Sequence, residues 1–76
     1  MQFTTAMVEV FKTNVQDTGE SKRLIRKILE HFQIDKVSFD LEDCDKVLRV
    51  EGKFISPNKI IELLLSFGYQ CEILVG

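Results

Sequence analysis

The sequence predicts an α+β fold in which two amphipathic helices pack on one face of a four-stranded sheet. Two segments carry apolar residues at helical spacing, and four others alternate apolar and polar residues as half-buried strands do. The chain has 76 residues, of which 45% are hydrophobic and 29% charged. This length and composition predict a single globular domain over residues 1–76 and exclude a disordered chain.

The first strand and the first helix are predicted within residues 7–31. Residues 7–12 alternate weakly, which predicts a strand with Val8 and Val10 turned to the core. Asp17 is expected to cap a helix over residues 18–31, and Glu20 completes a capping box. The apolar stripe of this helix comprises Leu24, Ile25, Ile28, Leu29 and Phe32.

Two more strands and a second helix follow. Residues 37–41 and 47–51 alternate as two half-buried strands joined by a short turn. Ser56 is expected to cap the next helix, and Pro57 takes its first position, where the missing N–H costs nothing. Gly68 is predicted to end this helix. Its apolar stripe comprises Ile60, Ile61, Leu64 and Leu65.

The last strand is predicted over residues 69–73, where Tyr69, Cys71 and Ile73 alternate with polar residues. The element order is therefore β-α-β-β-α-β. Right-handed crossovers and the short turn between the second and third strands restrict how this order can close. The predicted architecture is a ferredoxin-like βαββαβ sandwich, with antiparallel sheet order 4-1-3-2 and both helices on one face.

The most specific patterns lie in VSFDLE at 37–42, LRVEG at 48–52, SP at 56–57 and FGYQCE at 67–72. Together they resemble the heavy-metal-associated (HMA) domain family of copper chaperones and metal-pumping ATPases. The resemblance covers roughly the whole chain and implies a soft-metal site, Cys-x-x-Cys, between the first strand and first helix. Here the aligned positions are Thr18 and Ser21, or Val15 and Thr18 in a strand-based alignment. The metal-binding CxxC motif is absent, and hydroxyls do not replace thiolates for Cu(I) or Zn(II).

The two cysteines are predicted to lie too far apart to form a disulfide or to bind one metal ion together. Cys44 lies in the turn after the second strand and Cys71 in the fourth strand, about 14 Å apart across three strand spacings. Cys71 is expected in the core, and Cys44 is expected in solvent, where Asp43 and Asp45 disfavour its thiolate. No metal or other cofactor is therefore expected. The alternative is a metal-binding or metal-trafficking protein that uses Cys44, Asp43 and Asp45, either within one chain or across a dimer.

The residues for catalysis are missing from the sequence. His31 is the only histidine and is expected to face solvent at the end of the first helix. No Ser/His/Asp set can be assembled, and Thr18-Gly19 is too short for a phosphate-binding loop. We therefore expect no enzyme activity.

Composition limits the location and the partners. The net charge of −2 argues against binding to nucleic acid or to an anionic membrane. No apolar run approaches the ~20 residues of a membrane span, and residues 1–6 lack the basic region of a secretory signal. With two cysteines and no disulfide pattern, a reducing cytoplasm is the predicted compartment.

One predicted interaction surface is the basic face of the first helix. It comprises Lys22, Arg23, Arg26 and Lys27. The turn at residues 40–45 is acidic, and opposite charges on two faces are typical of protein-docking modules. The predicted function is accordingly a small non-enzymatic protein-interaction module.

The second predicted surface is the open face of the sheet. Alternation is expected to place there Met7, Glu9, Phe11, Val47, Arg49, Glu51 and Leu74. Phe11 and Val47 would form a small apolar patch that binds another protein or a second copy of this chain. A third possibility is RNA or a small molecule on this face, although Glu9 and Glu51 at its centre would repel phosphate.

Overall fold

The structure, a computed structural model, describes residues 7–74. Its elements are β1 (Met7–Thr13), α1 (Thr18–His31), β2 (Lys36–Asp40), β3 (Val47–Gly52), α2 (Pro57–Ser66) and β4 (Cys71–Ile73). The predicted α+β class, with two helices and a four-stranded antiparallel sheet, is confirmed over these residues. The prediction about a secretory signal in residues 1–6 lies outside them. Neither described helix is long and apolar enough to cross a bilayer.

The sheet has the strand order β2-β3-β1-β4, and every neighbouring pair is antiparallel. In its central pair, Phe11 of β1 lies opposite Leu48 of β3, and Glu9 lies opposite Val50. The outer strands are short, with five residues in β2 and three in β4. Short edge strands leave little backbone free to pair with another chain.

Helix α1 begins at its predicted cap. The carboxylate of Asp17 accepts a hydrogen bond of 3.1 Å from the amide of Glu20, which satisfies one of the free N–H groups of the first turn. Leu24 and Ile28 are buried as predicted, whereas Leu29 is 47% exposed at the margin of the apolar stripe. The buried face of α1 is therefore narrower than the sequence pattern predicts.

Helix α2 begins at Pro57, as predicted, but its cap differs from the expected one. Within the described residues, the hydroxyl of Ser56 makes no capping hydrogen bond. The backbone carbonyl of Ser56 accepts hydrogen bonds from the amides of Lys59 and Ile60. Gly68 follows the helix with φ of 90°, a left-handed conformation that suits glycine and ends helices. The predicted stop at Gly68 is confirmed.

Strand β4 begins at Cys71, two residues later than predicted. The amide of Tyr69 donates to the carbonyl of Leu64, and the amide of Gln70 donates to the side chain of Asn14. Both amides are therefore engaged outside the sheet, and the ladder can start only at Cys71.

Over residues 7–74 the hydrophobic core lies between the sheet and the helices. Its buried members are Phe11, Ile28, Leu48, Val50, Ile55, Ile60, Leu64 and Cys71. Cys71 is 8% exposed and Cys44 is exposed, which confirms the predicted environments of the two thiols.

The side chains of β1 point to the opposite sheet faces from those predicted. Phe11 is fully buried and paired with the core residue Leu48, so it lies on the helix-covered face with Met7 and Glu9. Val8 and Val10 consequently lie on the open face, because successive strand residues point to opposite sides. The assignment of Phe11 to the open face is wrong, because its ring offers more apolar area for burial than a valine side chain does.

Candidate functional site

Three loops meet at one end of the sheet. The end of β1 is joined to the β2–β3 turn by the amide of Thr13, its last residue, which donates to the carbonyl of Asp45 at 3.1 Å. The hydroxyl of Thr13 also donates to the carbonyl of Lys46 at 2.6 Å. On the other side, the amide of Gln70 donates to Oδ1 of Asn14 at 2.8 Å. The segment between β1 and α1, which carries the metal ligands in HMA domains, is thus hydrogen-bonded to the β2–β3 turn on one side and to the segment after α2 on the other.

Thr18 and Ser21, the two positions that the resemblance aligns with a CxxC motif, differ in exposure. Thr18 is exposed, whereas Ser21 is 5% exposed. The hydroxyl of Ser21 donates to the carbonyl of Thr18 at 2.7 Å, so it is committed to the first turn of α1. Together these residues offer one bonded and one solvated hydroxyl, which is not a ligand set for a soft metal.

The residues of the alternative metal site lie close together in the β2–β3 turn. Ligand atoms of Asp43, Cys44 and Asp45 all fall within 4.8 Å of one another. The carboxylate of Asp43 accepts from the amide of Asp45 at 2.9 Å, and that of Asp45 lies 3.9 Å from Nζ of Lys12. These contacts are typical of a turn closed by its own aspartates.

The predicted basic face is present on α1. Lys22, Arg23 and Arg26 are exposed, and Lys27 is half-buried. Spacing of four residues places these side chains in two parallel rows along the helix. Nζ of Lys27 lies 3.7 Å from Oε1 of Glu30, and because both side chains are partly in solvent the pair contributes about 0–1 kcal/mol. Because this pair is weak, the basic face can still attract a negatively charged partner.

A groove runs between α1 and the segment that follows α2. Its cavity of about 320 Å³ is lined by Arg23, Leu24, Lys27, Phe67 and Tyr69. Two aromatic rings and a leucine supply an apolar surface, and two cations stand beside it. We call these five residues the aromatic-basic groove. The sequence indicates the two cations as candidate site residues. It does not indicate Phe67 and Tyr69, because only packing brings them to α1.

Tyr69 faces the first turns of α1. Partial burial, followed by the hydrogen bond and negative charge of Glu20, raises the pKa of Tyr69, while the Arg23 guanidinium opposes the shift. The phenol therefore stays protonated at neutral pH and donates its hydrogen bond to the carboxylate of Glu20. Tyr69 also packs against the hydrophobic core, which fixes the position of its ring.

The open sheet face carries less apolar surface than the sequence predicts. Val47 lies on this face beside Val10, Arg49 and Leu74, but it is only 7% exposed. Val8, on the same face, is 48% exposed. Because Phe11 faces the core and Val47 is nearly covered, the predicted apolar patch of these two side chains is not available to a partner.

A second apolar surface lies at the opposite end of the sheet. Leu29, Phe32, Ile34 and Phe54 line a cavity of about 600 Å³ that also includes polar groups. Phe54 is 81% exposed in the loop between β3 and α2. Exposed apolar side chains of this size are typical of contact surfaces, but the residues around this cavity show no charge pattern that indicates a partner.

No known protein family, curated protein or solved structure matches the chain in our comparisons.

Proposed function

We propose that this chain is a small, cytoplasmic, non-enzymatic protein-interaction module with a ferredoxin-like fold. The element order and the covering of one sheet face by both helices support the fold assignment. We further propose kinship with HMA domains that have lost their metal ligands. The hydroxyl side chains of Thr18 and Ser21 at the ligand positions support that loss.

The observation that carries the docking function is the basic face of α1, with the aromatic-basic groove beside it. Aromatic and arginine side chains are enriched at interfaces, where they supply most of the binding energy. Phe67 is 45% exposed, and Arg23 is exposed next to it. Positive charge on this side would steer a partner with an acidic surface and speed its association.

Crosslinking in cells that produce the protein tests this function. The wild-type chain should enrich a partner that the double variant Lys22→Glu, Arg26→Glu fails to enrich, because charge reversal repels an acidic surface. The matched control reverses two exposed lysines outside α1, Lys36→Glu and Lys53→Glu. Equal enrichment by wild type and by the α1 variant would contradict docking through this helix.

A metal-handling role is the second candidate, and the proximity of Asp43, Cys44 and Asp45 favours it. Titration of the reduced protein with Cu(I) or Zn(II) against a competing chelator separates the two functions. The interaction module should retain no metal, since one thiolate and two carboxylates fall short of a closed four-ligand site. One equivalent retained by the wild type and lost in Cys44→Ser would establish the metal role.

A further inference from the structure

We propose that the aromatic-basic groove binds an acidic peptide segment of a partner protein, which inserts one apolar side chain against Phe67 and Tyr69. This inference rests on the proposed docking function and specifies the chemistry of its ligand. It names the groove, and not the whole basic face of α1, as the place where the partner is recognised.

The size and lining of the groove fit one anchoring side chain. Its volume of about 320 Å³ lies at the lower end of the range for ligand pockets. Leu24, which is 3% exposed, forms part of the wall, and Phe67 stays 45% exposed beside it. An apolar side chain placed there would remove aromatic surface from water and gain the contacts that make a hot spot.

The charge around the groove selects an acidic segment. Arg23 and Lys27 both line it, one helical turn apart, and no carboxylate is among its lining residues in the described chain. Two carboxylates lie on the same helix: Glu20 is beside the phenol of Tyr69, and Glu30 lies 3.7 Å from Nζ of Lys27. With Lys22 and Arg26, α1 carries four cations against two carboxylates, so the Arg23–Lys27 side of the groove favours a negative ligand, whereas the phenol of Tyr69 faces Glu20.

The groove is formed before any ligand binds. Gly68 turns the chain back after α2, and the amide of Tyr69 donates to the carbonyl of Leu64 at 3.0 Å. The bond between Gln70 and Asn14 then anchors the segment on its far side. Both aromatic rings are thus presented by a fixed backbone, which lowers the entropy that binding would cost.

A defined peptide probe tests the inference with the intact chain. The probe is the peptide EEDFDEE, and its matched controls replace the Phe by Ala or every acidic residue by Lys. Binding is followed by titration of the ¹⁵N-labelled protein, which reports both the affinity and the residues affected. We expect the largest shifts at Arg23, Lys27, Phe67 and Tyr69, and about tenfold weaker binding of the Ala peptide.

Variants of the protein locate the site. Arg23→Glu and Phe67→Ala should each weaken binding of the Phe peptide by about tenfold or more, whereas Lys53→Glu should leave it unchanged. Phe67 is partly exposed, so its truncation should leave the fold intact, and the amide spectrum verifies this. The inference would be overturned if the Phe and Ala peptides bound with equal affinity, or if a single-stranded oligonucleotide bound as tightly as the Phe peptide. Either result would indicate non-specific attraction of polyanions.

The test separates this inference from the broader function. If the crosslinked partner is lost in the Lys22→Glu, Arg26→Glu variant but kept in Phe67→Ala, docking through α1 stands and the groove inference is wrong. If Phe67→Ala also loses the partner, the groove is the recognition site. If neither variant changes the partners, docking through α1 and the inference both fail.

Discussion

The amide nitrogen of Gln70 donates a hydrogen bond of 2.8 Å to Oδ1 of Asn14, across 56 positions of the chain. The bond ties the loop before α1 to the segment after α2. It also holds the amide of Gln70 outside the sheet, which fixes the start of β4 at Cys71. One side chain therefore positions the segment that carries Tyr69.

Asn14→Ala should lower the free energy of unfolding by about 1 kcal/mol, because an exposed hydrogen bond is lost and water replaces it. Hydrogen exchange at the amide of Gln70 should become faster by a larger factor than exchange in the central strands. Asn14→Asp is the control, since its carboxylate can still accept the bond. Unchanged exchange at Gln70 in Asn14→Ala would show that the bond does not hold the segment.

Phe11→Ala should lower the free energy of unfolding by about 3–5 kcal/mol, since the ring is fully buried and its loss leaves a cavity. Val8→Ala, on the open face of the same strand, should change it by only about 0.5 kcal/mol. Urea unfolding of both variants measures the difference. Equal effects would mean that β1 presents both side chains alike and that the observed facing is wrong.

The sequence predicts elements well where its pattern has one interpretation. Asp17 and Pro57 mark the starts of the two helices, and Gly68 marks a turn that few other residues adopt. In β1, by contrast, apolar residues occupy both alternating sets, so periodicity alone does not decide which set is buried. The bulk of Phe11 decides it through contacts with Leu48 and its neighbours.

The aromatic-basic groove shows what the sequence cannot predict. Arg23 and Lys27 stand out as charges on a helix, and their exposure follows from its periodicity. Tyr69 lies some forty positions later, and its alternation with Cys71 and Ile73 predicts a strand residue. Only the packing of the segment after α2 against α1 brings its ring to those cations. A site assembled by tertiary contacts leaves no local signal in either segment.

A thiol reagent should label Cys44 quickly and Cys71 only on unfolding. Cys44 is exposed in the β2–β3 turn, whereas Cys71 is buried, and burial followed by the charge of Glu72 raises the pKa of its thiol to about 12. Mass mapping after a short reaction under native conditions identifies the labelled residue. Similar rates at both residues would show that β4 opens readily or faces the other way.

Replacing Thr18 and Ser21 together by Cys should create a Cu(I) site if the HMA resemblance and the helix-based alignment are right. Both sulfurs would lie at the start of α1, where the helix dipole favours thiolates. Titration against a chelator measures the affinity, and Thr18→Cys alone is the control that should not bind. A folded double variant without Cu(I) affinity would contradict the proposed kinship at this loop.

Alkaline pH should destabilise the protein through Cys71. In the unfolded chain its thiol ionises near its ordinary pKa of 9.0, whereas in the folded chain the pKa is about 12. Between these values the unfolded state releases a proton that the folded state keeps, so stability falls as pH rises through this window. The slope is about 1.4 kcal/mol per pH unit, and the contribution is fully present below pH 9.

Urea unfolding at pH 8 and pH 10 isolates the contribution of Cys71 when wild type is compared with Cys71→Ala. The wild type should lose about 1.4 kcal/mol more than the variant between the two values, because only the wild type has this thiol to ionise. Tyr69, whose pKa is also raised, acts equally in both proteins and cancels in the difference. Equal losses in the two proteins would show that the thiol of Cys71 reaches solvent in the folded state.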